Sequence, residues 1–365
     1  MPEPNALAVL RAALPRVLEA LPRAPRIRVL RALPDLAGDL PRDADITMVQ
    51  RFKPLHDALQ AEGGARLFNE SDADVGADID APPPQLVVVL PPRSRGEGRA
   101  LLARAMRDVA EGGVVLAAAL NDEGAKSFEK DLAALSPLAG VISKAHGRAF
   151  WTAPRPADLP DESAALAARG LAADAPARDA ATGLWTQPGV FNEGRLDAGS
   201  ALLIEHLPIT VKGHIADLGA GSGLLSLAAI ERCPGVASLD LFEAEARALD
   251  LARRNLEAAR VPLAFHWHDV GAGLPNDVRG RFDAVLCNPP FHVGSRGVPA
   301  LGRAFIAAAA FALKREGELL LVANRHLPYE DALREAFAHG EALAEQGGFK
   351  VYRAWSPRAQ VMRHA

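Results

Sequence analysis

The sequence predicts an α/β protein of two tandem domains, each built on a largely parallel sheet. Three observations carry this reading. Apolar runs of strand length alternate with stretches of helical periodicity along most of the chain. A stretch rich in Ala, Pro and Asp (TAPRPADLPDESAALAARGLAADAPARDA) separates two such series. Only the second series has a glycine-rich turn directly after its first strand. At 365 residues the chain also exceeds one domain of roughly 150 residues. The expected division is a first domain over 1–150, a linker over 151–182 carrying a helical segment, and a second domain over 183–365.

In the first domain, Ile27 to Leu30, Leu86 to Leu90 (LVVVL) and Gly113 to Leu120 read as buried strands. Between the last two, RGEGRALLARAMRDVAEGG has the apolar spacing of an amphipathic helix, which makes a βαβ unit. The strand exits LPPRSRGEG and ALNDEGAKS hold no tight glycine cluster. The second domain opens with GLWTQPGVFNEGRLDAGSALLIEHLP, whose polar front passes into a helix starting near Asp197 or Ala198. Strands follow at Ile215–Leu218, Ser238–Glu243, Leu263–His268, Phe282–Cys287 and Glu318–Ala323. Helices are expected over Gly223–Arg232, in AEARALDLARRNLEAARV and over Pro299–Lys314. The end, EALAEQGGFKVYRAWSPR, reads as two strands joined by a Gly-Gly turn, so a hairpin closes a doubly wound sheet.

Composition narrows the class. Hydrophobic residues make up 49% and charged residues 24%, as in globular domains. A net charge of -4 rules out an overall basic surface, so a nucleic-acid partner must meet a local Arg/Lys patch. The two cysteines, Cys233 and Cys287, match no metal spacing and provide no disulfide framework, which fits a reducing cytosol. The apolar N-terminal stretch is broken by Arg11, Pro15, Arg16 and Glu19, unlike a secretory signal. No run approaches the ~18 apolar residues of a membrane helix. A cytoplasmic, monomeric protein is expected, with no metal and no membrane partner.

Two motifs carry chemistry. The first is DLGAGSGLLSL, Asp217 to Leu227: a strand end, a turn with Gly219, Gly221 and Gly223, and a helix start. Glycines let the backbone turn sharply and let a ligand approach with no Cβ in the way. The spacing is G-x-G-x-G, one residue shorter than the dinucleotide fingerprint G-x-G-x-x-G. Glu243 ends the next strand, where a carboxylate can accept both hydroxyl hydrogens of a ribose. Asp269 closes the third and could accept from an adenine amino group. The competing reading is a tight packing turn flanked by solvated acids. These residues resemble the class I S-adenosylmethionine-dependent methyltransferases over about Gly183 to the C-terminus. That resemblance implies S-adenosylmethionine as cofactor, the methionine part cradled at Asp217, Gly219, Gly221 and Gly223, the ribose at Glu243 and the adenine near Asp269.

The second motif is Asn288-Pro289-Pro290-Phe291, after the fourth strand and so at the same carboxyl edge. Neither proline has an N–H and both fix φ, so the carbonyls of Asn288 and Pro289 sit on a stiff frame with few local donors. Phe291 offers a flat face for a base. The exocyclic amino group of a base is a poor nucleophile. Two acceptors holding its hydrogens favour a tetrahedral nitrogen and aim its lone pair. A base within a duplex cannot reach such a site, so the target must be unpaired or flipped out. Asn288 thus belongs to both the catalytic and the cofactor-binding sets, and a rigid turn is the alternative.

With the context NPPFH, ELLLVANRHLPY, GGFKVYRA and PGVFNEGRLDAGS, the chain is similar to the small-subunit (16S) guanine-N2 methyltransferase C family. The large-subunit, 23S-modifying G family is a near relative. The resemblance implies two methyltransferase-like, Rossmann-type domains. The first lacks the cofactor loop, and the second is a seven-stranded catalytic domain. It further implies ribosomal RNA or the 30S subunit as partner and guanine 1207 of 16S RNA as target. Other readings weighed are methylation of adenine N6 or protein glutamine, a nicotinamide-dependent oxidoreductase, and a non-catalytic RNA-binding protein. His292, Arg296 and Arg303 are candidates for RNA contact, Phe191 and Asn192 for covering the pocket, and Lys350, Tyr352 and Arg353 for a near-site role.

Overall fold

The computed structural model describes residues 6–69, 82–180, 182–190, 196–290, 292–293, 296–297 and 299–358. The chain divides into two compact units, one reaching to Ala177 and including Gln187–Gly189, the other made of Arg178–Thr186 and the chain from Val190.

The first unit contains strands β1 (Arg26–Leu30), β2 (Asp45–Val49), β3 (Arg66–Phe68), β4 (Leu86–Val89), β5 (Val114–Leu120), β6 (Leu138–Lys144) and β7 (Gly147–Thr152). They form one sheet in the order β3-β2-β1-β4-β5-β7-β6. The pairs from β3 to β5 are parallel and β7 is antiparallel to both neighbours. Its helices are α1 (Leu7–Leu18), α2 (Lys53–Glu62), α3 (Arg95–Asp108), α4 (Ala125–Leu135) and α5 (Asp161–Ala173). A strand covered on both faces needs apolar residues at every position. Leu86 and Val88 join the core on the α1 side, while Val87 and Val89 join the core against α3 and α4. The stretch expected as a linker contributes α5, which packs on α3 and α4, with Ala167 buried among their side chains.

The two-residue strands β8 (Ala177–Arg178), at the boundary between the units, and β9 (Trp185–Thr186) precede the main sheet of the second unit. That sheet holds β10 (Lys212–Leu218), β11 (Gly235–Glu243), β12 (Leu263–Trp267) and β13 (Phe282–Cys287). A small antiparallel pair, β14 (His292–Val293) and β15 (Arg296–Gly297), follows, then β16 (Leu313–Asn324), β17 (Phe337–Gln346) and β18 (Phe349–Pro357). The order is β12-β11-β10-β13-β16-β18-β17, parallel from β12 to β16 with an antiparallel hairpin at the far edge. The Gly-Gly turn of that hairpin has positive φ at both residues, 60° and 85°. Helices α6 (Ala198–Glu205), α7 (Leu224–Arg232), α8 (Ala246–Asn255), α9 (Pro299–Ala312) and α10 (Tyr329–Ala336) complete the unit.

Alternation again splits the core. Ala216, Leu218, Val285, Cys287, Leu319 and Leu321 face α9 and α10, while Ile215, Leu239, Leu286 and Leu320 face α6, α7 and α8. Phe242, Phe282 and Phe311 are fully buried, and truncating any one to alanine is expected to cost about 3–5 kcal/mol. The chain fills the sheet from β10 outward to β12, then crosses back to β13 on the other side of β10. The strand order therefore reverses between β10 and β13, where the carboxyl ends of an open α/β sheet leave a crevice. Among the described residues no helix is long and apolar enough to cross a membrane, and no cluster of His, Cys, Asp and Glu forms a metal site. Cys233 and Cys287 are buried and unpaired.

Candidate active site

Sheet register places the two motifs together. Leu218 lies opposite Cys287 on parallel strands, so the next residues, Gly219 and Asn288, leave the sheet side by side. A Cβ built on Gly219 would stand 3.9 Å from the Asn288 carbonyl oxygen. All three loop glycines have positive φ, 75° at Gly219, 55° at Gly221 and 83° at Gly223. That is the left-handed region, which glycine adopts without steric cost. A Cβ at Gly219 or Gly223 would press on Phe305 or on Ala252 and Leu256 at 3.2 Å, whereas one at Gly221 would meet nothing within 4 Å. The middle of the loop is thus open to a ligand.

The acids hold this loop from below. The Glu243 carboxylate accepts from the Gly221 N–H at 2.7 Å and from the Glu245 N–H at 2.8 Å. Each oxygen has a second lone pair for a further donor. Burial pushes the Glu243 pKa up, and the two backbone donors oppose that shift. Asp217 is fully buried. Its Oδ2 accepts from Ser226 Oγ at 2.7 Å, and its Oδ1 has no hydrogen-bond partner among the described residues. Burial raises its pKa to about 7 against the pull of the Ser226 hydrogen bonds, with the Glu243 charge adding to the rise. Asp269, expected to close the third strand, lies two residues past its end at Trp267 and caps a 3-10 turn, where its Oδ1 accepts from the Gly271 N–H at 2.8 Å.

Asn288 is held by its nitrogen. Nδ2 donates to Asp197 Oδ2 at 2.8 Å and to Ser200 Oγ at 2.8 Å. Its Oδ1 is buried and has no hydrogen-bond partner among the described residues. Pro289 is buried and Pro290 exposed. The surrounding concavity is lined by Ser200, Gly219, Gly221, Leu225, Asn288, Trp185 and Leu196. Asn255 fixes Trp185 and the glycine loop. Its Oδ1 accepts from the Trp185 N–H at 2.6 Å, and its Nδ2 donates to the carbonyls of Trp185 at 3.2 Å and Ser222 at 2.9 Å.

The structure therefore brings together Asp217, Gly219, Gly221, Gly223, Glu243 and Asn288. Of these, Gly219, Gly221 and Asn288 line the concavity, Glu243 joins the group through the Gly221 N–H, and Asp269, two residues past the third strand, does not line it. Phe291, Phe191 and Asn192 lie outside the described residues. His292 and Arg296 are described only as strand positions, His292 opposite Gly297 and Val293 opposite Arg296. Arg303 is exposed on α9. The near-site candidates on β18 are engaged elsewhere. Lys350 Nζ and Tyr352 Oη both donate to Glu330, at 3.0 and 2.6 Å, and Arg353 donates to Glu318 at 2.6 Å.

Asp197, Ser200, Ser226 and Asn255 were not anticipated. A sequence signal exists for two of them. Asp197 stands at a helix N-cap, a place that favours Asp for other reasons. Asn255 lies one helical turn after the buried Leu251, a polar residue on an apolar face.

Comparison with known proteins agrees with this arrangement. Residues 181–353 match the family model of the methyltransferase small domain. The chain is 39% identical over 169 residues to proteins named ribosomal RNA small subunit methyltransferase C from Escherichia coli strains K12 / DH10B and CFT073. Those matches take in 46% of this chain and 48% of the relative, so the chain spans about half the length of the curated relatives it matches. A solved structure described as T. thermophilus 16S rRNA N2 G1207 methyltransferase in complex with AdoMet and guanosine superimposes with a TM-score of 0.75. It is 24% identical, over 96% of this chain and 91% of its own. This likeness runs through both units and establishes two tandem methyltransferase-type α/β folds. The glycine loop, the second-strand acid and Asn288 all fall within residues 181–353, the stretch that is similar to the methyltransferase small domain family.

Proposed function

We propose that the second unit binds S-adenosylmethionine and methylates the exocyclic N2 amino group of a guanine in ribosomal RNA. Within that class we propose guanine 1207 of 16S RNA in the 30S subunit, in the cytoplasm. The observation that carries the reading is Asn288 Oδ1, a buried acceptor with no hydrogen-bond partner among the described residues, beside an open glycine loop. A buried polar atom left unsatisfied costs about 1–3 kcal/mol, so its retention is best explained by a partner that arrives with substrate. The similar T. thermophilus protein, described with guanosine and AdoMet, supports the same choice of ligands.

The residues fit the cofactor on the same kind of evidence. Asp217 Oδ1 is a second buried acceptor with no hydrogen-bond partner among the described residues, suited to the donors of a methionine ammonium. Glu243 keeps lone pairs for ribose hydroxyls, and the open face of Gly221 admits the ligand backbone. When bound, S-adenosylmethionine supplies an electrophilic methyl group on a sulfonium. The chain's own part is positioning. Asn288 Oδ1 and the Pro289 carbonyl accept the two amino hydrogens, which draws the lone pair out of the ring system and aims it. These same fixed dipoles stabilise positive charge developing on nitrogen. Pro289 and Pro290 keep the frame stiff, and Phe291, assigned from sequence alone, provides the stacking face. No basic side chain is required before transfer, because the amino group attacks while still protonated and releases one proton afterwards.

The test supplies labelled S-adenosylmethionine with 30S subunits, 50S subunits and naked ribosomal RNA, then maps the modified nucleotide. Label on N2 of one 16S guanine is expected. Label on 50S RNA would move the target to the large subunit, and label on protein alone would overturn the RNA reading.

A further inference from the structure

We infer that Asp197 is a positioning residue that sets which end of the Asn288 amide faces the substrate. The inference rests on the methyl-transfer reading above and goes beyond it, because it assigns the polarity of the acceptor to a residue 91 positions away in sequence.

An asparagine side chain is nearly symmetric in shape, so packing alone does not decide where its oxygen points; its hydrogen-bond partners do. Asn288 has two such partners, both on one side. Ser200 Oγ can donate as well as accept, so it is compatible with either orientation of the amide. The carboxylate of Asp197 only accepts, so it faces the NH2 end alone. Reversing the amide would set Oδ1 against Oδ2 of Asp197 and turn two N–H donors into the site. An incoming amino group would then meet donors instead of an acceptor. With Asp197 in place, Oδ1 is turned away from both partners, and it is that atom which is buried without a hydrogen-bond partner among the described residues.

Asp197 is itself fixed. It is the N-cap of α6, where Oδ2 accepts from the Ser200 N–H at 2.8 Å as well as from Asn288. A single oxygen therefore starts the helix and orients the amide. The start of α6 delivers both partners of Nδ2, since Ser200 is its third residue. The site so built recognises an N–H donor, an amino group, and disfavours a carbonyl edge at the same place.

The double role allows the two contributions to be separated. Serine is as good an N-cap as aspartate, but it is one atom shorter and cannot also reach Asn288. Asp197→Asn keeps an oxygen at the Oδ2 position, able to accept from both groups. In the full-length protein, Asp197→Ser is expected to lower kcat about ten- to a hundredfold, the size of effect that misplacing a reacting group produces. Its melting temperature and S-adenosylmethionine Kd should stay near wild type, and Asp197→Asn should recover activity to within a few-fold. A readout independent of turnover uses protein labelled with 15N-asparagine. The Asn288 side-chain NH2 pair, assigned by its loss in Asn288→Ala, is expected to be shifted and slow to exchange in the wild type. In Asp197→Ser it should move towards free-amide positions. An unchanged NH2 pair in Asp197→Ser, or wild-type kcat in that variant, would overturn the inference. Equal losses in the Asn and Ser variants would also overturn it, since charge and not amide orientation would then be the cause. Absence of methyl transfer to RNA by the wild-type protein is a separate result, which sinks the functional reading and leaves the NH2 measurement to decide the role of Asp197.

Discussion

The two sheets run in the same strand order, and their carboxyl edges can be compared position by position. Leu30 pairs with Val89 in the first as Leu218 pairs with Cys287 in the second. The residue after the first strand is Arg31 in one unit and Gly219 in the other, both in the left-handed region at φ 56° and 75°. Arginine there carries about 1–2 kcal/mol of strain that glycine does not. It is held by a hydrogen bond to the Leu90 carbonyl at 3.2 Å and lies 3.7 Å from the Glu97 carboxylate.

The match continues along both edges. Val49 and Phe242 are the partners of Leu30 and Leu218, so Gln50 stands where Glu243 does. Gln50 Oε1 accepts from the N–H two residues on, as Glu243 Oε1 does, but its other end donates to the Ala32 carbonyl at 2.6 Å. After the fourth strand, Leu90-Pro91-Pro92 occupies the place of Asn288-Pro289-Pro290. The prolines are common to both, and the amide is found only in the second. Where the second unit keeps acceptors without hydrogen-bond partners among the described residues, the first has buried the Glu97 carboxylate against the Arg51 guanidinium. The same frame thus carries a buried ion pair at one edge and, at the other, the two acceptors Asp217 Oδ1 and Asn288 Oδ1 without a hydrogen-bond partner among the described residues.

The comparison can be broken most forcefully at Glu97. Glu97→Ala takes the carboxylate from Arg51, whose side chain is only 5% exposed, and is expected to destabilise the protein by about 3–5 kcal/mol in denaturant titrations. The S-adenosylmethionine Kd should not move, and a weakened Kd would show that the first edge has a ligand role after all. Asn288→Ala should lower kcat about 10²–10³-fold with cofactor affinity retained, as removal of one fixed transition-state dipole does. Lost cofactor affinity in calorimetry would mean that Asn288 serves the cofactor instead.

A smaller effect concerns Asp217. Its pKa lies at about 7 in the fold against an ordinary 3.8, so in that interval the folded protein keeps a proton that the unfolded chain has released. Stability of the ligand-free protein is therefore full below about pH 4 and is lost as pH rises through 7, with a limiting slope of about 1.4 kcal/mol per unit. Asp217→Asn should abolish most of that decline, a gain of roughly 2–4 kcal/mol at pH 8 relative to the wild type. Parallel stability curves for the two proteins between about pH 5 and pH 8 would show that the buried carboxylate is not the source.

Features set by local chemistry were legible in the sequence. The glycine loop and the double proline restrict their own backbones, and the strands LVVVL and FDAVLC are buried on both faces, so each motif could be placed on a strand exit. The two hairpins show where legibility stops. The second turns through Gly347 and Gly348, whereas the first turns through Ala145 and His146 with φ of 49° and 59°. Those two residues give no turn signal, and β6 and β7 were missed with them. Helix α10 was missed as well: only eight residues long, it draws its stability from the core it packs on and not from intrinsic propensity. The contact of Asp197 with Asn288 joins distant segments through one oxygen, and nothing in either segment announces the other.

The pairing of Leu218 with Cys287 has a consequence for variation. The distance between the loop that would hold the methyl donor and the motif that would hold the acceptor is set by hydrogen bonds within the sheet, not by either loop. Parallel strands move about 3.3 Å per residue of slip, and alternation of side chains allows only even steps, so the smallest permitted error would be about 6.6 Å. The sheet thus acts as a gauge with coarse, widely spaced marks. Residues beyond Pro290 can lengthen, shorten or change composition while the gap between the glycine loop and Asn288, across which the proposed transfer would occur, stays the same.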